Sequence, residues 1–149
     1  MTQTAIVYFA GGLLIKAPPD GHYVDPGRMD EVEKLASGQF DFAKLAQLLK
    51  EMNVAHVHES LLSIPMLVRA VIDHVPPIFG RSSFAEVCGA YGSRSFKDSM
   101  NNLDKSSRKI ADSYLHTPIR IRENLPTAVQ VNFRHDLDVL LQEIVRIVK

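Results

Sequence analysis

The sequence predicts an all-α protein, an antiparallel bundle of four to six helices that follows a small N-terminal β-hairpin. Two observations predict this class. Apolar residues recur at steps of three and four along three long segments, which is the period of an amphipathic helix, and prolines and glycines separate those segments. Several amphipathic helices on short connections are typical of a bundle.

The N-terminal residues differ from the rest of the chain. Apolar residues 6–10 and 13–15 flank Gly11 and Gly12, which predicts a hairpin. The next dozen residues are rich in proline and glycine and predict an irregular loop. The chain is therefore divided into an N-terminal hairpin and loop segment, residues 1–27, and a helical bundle domain, residues 28–149.

Two helices are predicted in the first half of the bundle domain. The first covers the apolar positions of residues 42–52, with Asp41 as its N-cap. The second covers residues 55–74, and Pro65 either kinks it or divides it. The residue before a proline avoids the α region, so Val75 and Pro76 end this helix.

Three more helices are predicted after the Pro76 stop. A short one over residues 84–90 ends at Gly89 or Gly92, and the most regular one runs from Phe96 to Tyr114 with Ser93 or Ser95 as its cap. Residues 120–131 are interpreted as a connection with some extended character. The last helix is predicted to bury six residues at helical spacing: Phe133, Leu137, Leu140, Leu141, Ile144 and Val148.

Composition limits the class of protein. The 149 residues fit one domain, and 17 Lys and Arg balance 17 Asp and Glu, which argues against a protein that coats polyanions with its whole surface. Cys88 is the only cysteine, so no internal disulfide forms and a reducing compartment is expected. The longest uncharged apolar run, residues 5–15, is too short to span a bilayer and has no basic residue before it. We therefore expect a cytoplasmic protein without membrane contact.

Charge is distributed unevenly along the chain. Residues 81–122 contain eight Lys or Arg and four acidic residues, whereas residues 23–62 contain four Lys or Arg and seven acidic residues. Such a pattern indicates a groove for a polyanion, two complementary faces that meet in a dimer, or ordinary solvated helix surfaces.

Arg69, Asp73 and His74 form the first candidate catalytic group. Arginine keeps its charge and donates a fork of hydrogen bonds that suits phosphate, while histidine transfers protons near neutral pH. Arg69 and Asp73 lie four residues apart on one helix face, so Asp73 is expected to orient Arg69. His74 lies about 140° around the helix from Arg69, so the two meet only if the last turn unwinds or a second subunit contributes. Alternatively, Arg69 and Asp73 form a structural pair and His74 caps the helix end.

A second candidate group could bind substrate. Arg108, Asp112 and His116 follow one another at steps of four along one stripe of the most regular helix, and Arg120 is close in sequence. These side chains are interpreted as phosphate ligands or as a solvated ion-pair ladder.

Metal and nucleotide sites receive little support from the sequence. His56 and His58 point about 200° apart on a helix, and neither a metal-protease motif nor a phosphate-binding glycine loop is present. Cys88 has no nearby base in sequence and is interpreted as a core residue. No metal and no cofactor are predicted.

The segment Arg69–His74 reads R-x4-H near a helix end, inside a helical domain. It resembles the HEPN superfamily, whose motif is R-x4–6-H, over about residues 42–147. The longer run over residues 67–77 also looks like uncharacterised bacterial helical proteins. The resemblance implies a dimerising helical bundle, an RNA-cleaving toxin or effector of phage defence, and Arg69 and His74 as its catalytic pair. Active members usually have a polar residue after the motif arginine, where this chain has Ala70.

Two functions follow as hypotheses. The first is a metal-independent endoribonuclease in which His74 transfers the proton, Arg69 stabilises the phosphorane, and the products are a 2′,3′-cyclic phosphate and a 5′-hydroxyl. The second is a non-catalytic helical dimerisation or interaction module of a defence or regulatory assembly. The partners expected from these hypotheses are a second copy of the chain, RNA, or another protein.

Overall fold

A computed structural model describes residues 21–149 and the backbone of two short strands, β1 (Val7–Ala10) and β2 (Leu13–Lys16). The strands pair antiparallel, with Val7 opposite Lys16 and Ala10 opposite Leu13. The predicted turn at Gly11 and Gly12 and most of the predicted loop lie outside the described residues. The hairpin as a whole therefore stays a prediction.

Residues 21–149 are helical, as the sequence predicts for the bundle domain. Six α-helices and one 3₁₀ helix make up this part of the chain. Their bounds are α1 (Pro26–Glu33), α2 (Ala43–Val57), α3 (Ser63–His74), the 3₁₀ helix (Pro76–Phe79), α4 (Phe84–Ala90), α5 (Arg94–Tyr114) and α6 (Arg134–Val148). In the described part of the chain, every helix is too short or too polar to cross a membrane.

Side chains at the helix starts satisfy amides that have no partner inside the helix. Asp25 accepts a hydrogen bond from the Arg28 amide at 3.0 Å at the start of α1, and Ser93 caps α5 through the Phe96 amide, as predicted. Asp41 is not the N-cap residue of α2, which is Phe42. It accepts instead from the Ala43 amide at 2.9 Å.

The predicted helix over residues 55–74 is wrong in its first part. Helix α2 continues to Val57, and a turn containing Glu59 in the left-handed region (φ 53°) separates it from α3. Pro65 is the third residue of α3, where an amide has no partner inside the helix, so the proline neither kinks nor interrupts it.

Gly92 follows the end of α4 and allows the Phe96 ring of α5 to lie close to its backbone. Gly92 has φ 80°, a conformation that side chains disfavour, and a Cβ there would lie 3.0 Å from the Phe96 ring. The Phe96 ring in turn packs edge-on against Tyr91, with ring centres 5.6 Å apart.

The hydrophobic core lies where α3 and α6 each pack against α5, with α2 against α3 and α1 against both α2 and α6. Leu103 and Met100 of α5 are fully buried, as their period predicts. In α6, Val145 is buried and Val148 is only partly covered, because Val148 is the last residue of that helix. The antiparallel order of the bundle stays a prediction.

Tyr23 joins the start of the described chain to its last helix. Its side chain is 3% exposed, and its hydroxyl donates to the Val131 carbonyl at 2.7 Å and accepts from the Phe133 amide at 2.8 Å. The Tyr23 amide donates to Asn53 in α2 at 2.9 Å, so three distant parts of the sequence meet here. Burial raises the pKa of the Tyr23 hydroxyl above its usual range, which keeps it a hydrogen-bond donor. The end of segment 1–27 thus packs in the helical core, while the domain boundary at residue 28 stays a prediction.

Candidate functional site

Arg69 lies on the side of α3 that faces α5. Its Nη1 donates to the Asp104 carboxylate at 2.8 Å and to the Ser107 hydroxyl at 3.3 Å. The side chains of Arg69 and Asp104 are only 22% and 16% exposed. Arg69 therefore ties α3 to α5 through a largely buried ion pair.

Asp104 is shared by two guanidinium groups. Arg108, one turn further along α5, also contacts this carboxylate at 3.3 Å. Desolvation favours the neutral acid, but the hydrogen bonds from Arg69 and Arg108 outweigh it and hold the pKa of Asp104 below its usual value. Asp104 is thus ionised at neutral pH and occupies donors that the sequence analysis assigned to a substrate.

The predicted pairing of Arg69 with Asp73 is wrong. Asp73 is exposed, and among the described ion pairs Arg69 contacts Asp104 alone. Four-residue spacing does place Arg69 and Asp73 on one helix face, but the long arginine side chain reaches across to the half-buried carboxylate on α5. Asp73 has no role in orienting Arg69 in this structure.

His74 lies towards the start of α2, whereas Arg69 contacts α5. It lines a cavity of about 280 Å³ near the start of α2, together with Phe40, Phe42 and Pro77. Desolvation, and secondly the charge of Lys44, lower the pKa of the His74 imidazole, so the ring is neutral at pH 7. The chain passes from α3 directly into the 3₁₀ helix at Pro76, and the last turn does not unwind.

Arg69 and His74 therefore do not converge within one protomer. The first is bonded to α5, and the second opens into a cavity on the α2 side. A shared catalytic space would require a second subunit to bring its own arginine or histidine to the site.

The second candidate group lies on the surface. Arg108, Asp112 and His116 are all exposed, with Arg108 turned towards Asp104 and His116 beyond the end of α5. Arg120 is also exposed and pairs with Glu123 at 3.1 Å. All four residues are exposed, but two of them, Arg108 and Arg120, are already held by neighbouring carboxylates.

The remaining candidates of the sequence analysis do not form a site. Among the described residues, no three His, Cys, Asp or Glu side chains come together in a group that could hold a metal ion. His56 packs edge-on against Tyr23 with ring centres 5.8 Å apart. Cys88 is buried, and desolvation, followed by the charge of Asp104, raises the pKa of its thiol to about 11, so it is not a nucleophile at neutral pH.

Sequence reasoning missed Asp104 and Ser107 as partners of Arg69. The spacing of four between Asp104 and Arg108 is the one signal that could have found the first of them. Ser107 lies within the helix predicted from Phe96 to Tyr114, where its hydroxyl donates to the Leu103 carbonyl at 2.7 Å, and no local pattern connects it to Arg69.

The chain matches no protein-family model, no curated protein and no solved structure. The HEPN resemblance stays a prediction.

The Asp104 cluster predicts a specific response to acid. Because the folded pKa of Asp104 lies below the unfolded one, its stabilising contribution is present at neutral pH and is lost as the pH falls below about 4 and through the folded value. Urea denaturation as a function of pH should show a steeper acid loss for the wild type than for Asp104→Asn. Parallel profiles for the two proteins would contradict this assignment.

Proposed function

We propose that this chain is a non-catalytic helical interaction module that assembles as a homodimer, as one component of a defence or regulatory assembly. The antiparallel bundle serves as its scaffold. The motif side chain of Arg69 contributes to the packing of that scaffold, because it is held by Asp104 and Ser107 at the junction of two helices. A guanidinium with these bonds is occupied by acceptors of its own chain and is less available to a substrate.

The observation that supports this proposal is the segment between α5 and α6. It extends from Leu115 to Phe133 without a helix; connections of this length are uncommon inside compact domains, and binding residues are concentrated on loops. Ile119 is 93% exposed and Ile121 is 104% exposed. Large apolar side chains in solvent on one segment are typical of a surface that binds a partner.

Light scattering after size-exclusion chromatography tests this proposal. The wild type should be a dimer whose population rises with concentration, and Ile119→Ser/Ile121→Ser should weaken dimerisation at least about tenfold, the loss of roughly 1.4 kcal/mol of association free energy. Val54→Ser is the matched control, because Val54 is an exposed apolar residue on α2 and lies outside the segment. A wild type that stays monomeric at every concentration would exclude the homodimer.

A second candidate function is the metal-independent endoribonuclease. Two observations favour it: the neutral His74 imidazole opens into a cavity, and exposed Arg94, Lys105 and Lys109 lie along α5. On this hypothesis, His74 of one protomer and Arg69 of another would act on one phosphate, because the two do not meet in a single chain.

His74→Ala tests the ribonuclease while leaving the Arg69–Asp104 pair in place. Loss of the proton-transfer group should reduce cleavage of single-stranded RNA by about 10²–10⁴-fold, with unchanged circular dichroism. His58→Ala is the control, since His58 is an exposed histidine at the end of α2. Equal cleavage by wild type and His74→Ala, or no cleavage by either, would exclude this function.

A further inference from the structure

Strands β1 and β2 are too small to be stable by themselves. Each has four residues, and among the described residues they form a sheet of two strands. An isolated two-stranded hairpin is marginal in water and needs a packing partner. Lys16, at the end of β2, is the one charged residue among the eight strand residues, so the sheet has little polar surface to expose to solvent.

An uncovered apolar surface lies at one end of the helical part. Two cavities adjoin there and share Leu61: one of about 360 Å³ that includes Leu62 and Leu125, and one of about 190 Å³ that includes Val129. Leu62 is 40%, Leu125 is 73% and Val129 is 84% exposed. We call these three side chains and the cavities between them the Leu125 surface.

The chain leads from the strands to this surface. Tyr23 lines the 190 Å³ cavity together with Val129 and Leu61. Tyr23 itself is fixed by its hydrogen bonds to Val131 and Phe133. The five residue steps between Lys16 at the end of β2 and Gly21 span at most about 17 Å. The strand pair is therefore tethered within reach of the Leu125 surface.

We propose that the β1–β2 strand pair packs on the Leu125 surface of its own chain. The short tether gives the strands an effective concentration of the order of millimolar at that surface, higher than a free second copy would have. Packing covers Leu62, Leu125 and Val129 and supplies the partner that a two-stranded sheet requires. Ile119 and Ile121 lie outside both cavities, so the dimerisation test does not depend on this contact.

Hydrogen exchange of the strand amides in the full chain tests this proposal. The amides of β1 and β2 should be protected in the monomer, and Leu125→Asp/Val129→Asp should lower that protection at least about tenfold. Both substituted side chains are exposed, so the helical circular dichroism should not change. Met66→Asp is the matched control, because Met66 is 50% exposed on α3 and lines neither cavity.

A second measurement places the strands directly. A nitroxide on Val129→Cys should broaden the amide signals of β1 and β2 in the monomer, and the buried Cys88 should not react with the label. Unchanged protection in Leu125→Asp/Val129→Asp, or the absence of broadening, would overturn the proposal. Protection that appears only as protein concentration rises would overturn it in favour of a second copy as the occupant.

Discussion

Asp104→Ala is expected to destabilise the fold by about 3 kcal/mol. Removal of one partner of a largely buried ion pair leaves the other charge without compensation, and here two guanidinium groups, those of Arg69 and Arg108, lose their shared carboxylate. Urea denaturation at neutral pH measures this loss as a lower midpoint with an unchanged slope.

Two variants control this prediction. Asp112→Ala removes an exposed carboxylate from the same helix and should change stability by less than about 0.5 kcal/mol. Arg69→Met/Asp104→Leu replaces the pair with apolar side chains and should recover most of the loss, because no unpaired charge remains between α3 and α5. An equal loss in the double variant would show that the ion pair itself, and not its broken half, stabilises the fold.

Tyr23→Ala is expected to cost about 4 kcal/mol. The substitution leaves a large cavity in the core and removes the hydroxyl that serves both the Val131 carbonyl and the Phe133 amide. Tyr23→Phe keeps the ring and should lose only about 2 kcal/mol, the cost of the two backbone groups left without partners. Thermal or urea unfolding of the full chain provides the measurement.

Tyr114→Phe is the matched control for the hydroxyl, because Tyr114 donates to the Gln130 side chain at an exposed position. It should change stability by less than about 0.5 kcal/mol. If residues 1–27 formed a unit independent of the bundle, Tyr23→Ala would leave the helical unfolding transition unchanged, and the packing described for Tyr23 would be wrong.

The helices of this fold could be predicted because their signals are local. The period from Phe96 to Ser107 identifies the buried face of α5, and Ser93 identifies its start. The break between α2 and α3 could not be placed, since the turn at His58, Glu59 and Ser60 contains no glycine or proline and Pro65 suggests a different position. The turn depends on a backbone conformation that glutamate rarely adopts and that composition does not indicate.

The candidate site could be predicted only as a set of residue types. Arg69 and His74 are close in sequence, but the packing of the helices determines their neighbours. Arg69 contacts α5, and His74 lies near the start of α2. The partner of Arg69 is 35 residues away, and no pattern within α3 indicates it. Tyr23 was missed for the same reason, because the two backbone groups that its hydroxyl contacts lie 108 and 110 residues away.

The hydrogen bond between Tyr23 and Val131 spans 108 residues. Closing a loop of that size costs more entropy than pairing α2 with α3 or α4 with α5, so the local helix pairs form first and the Tyr23 contact forms late. On the ribosome, the Tyr23 hydroxyl must therefore wait for the synthesis of residues 131–133 before it can make this contact. Until residues 131–133 emerge, its hydroxyl has only water to bind, and the nascent helices depend on their own short-range contacts to remain compact.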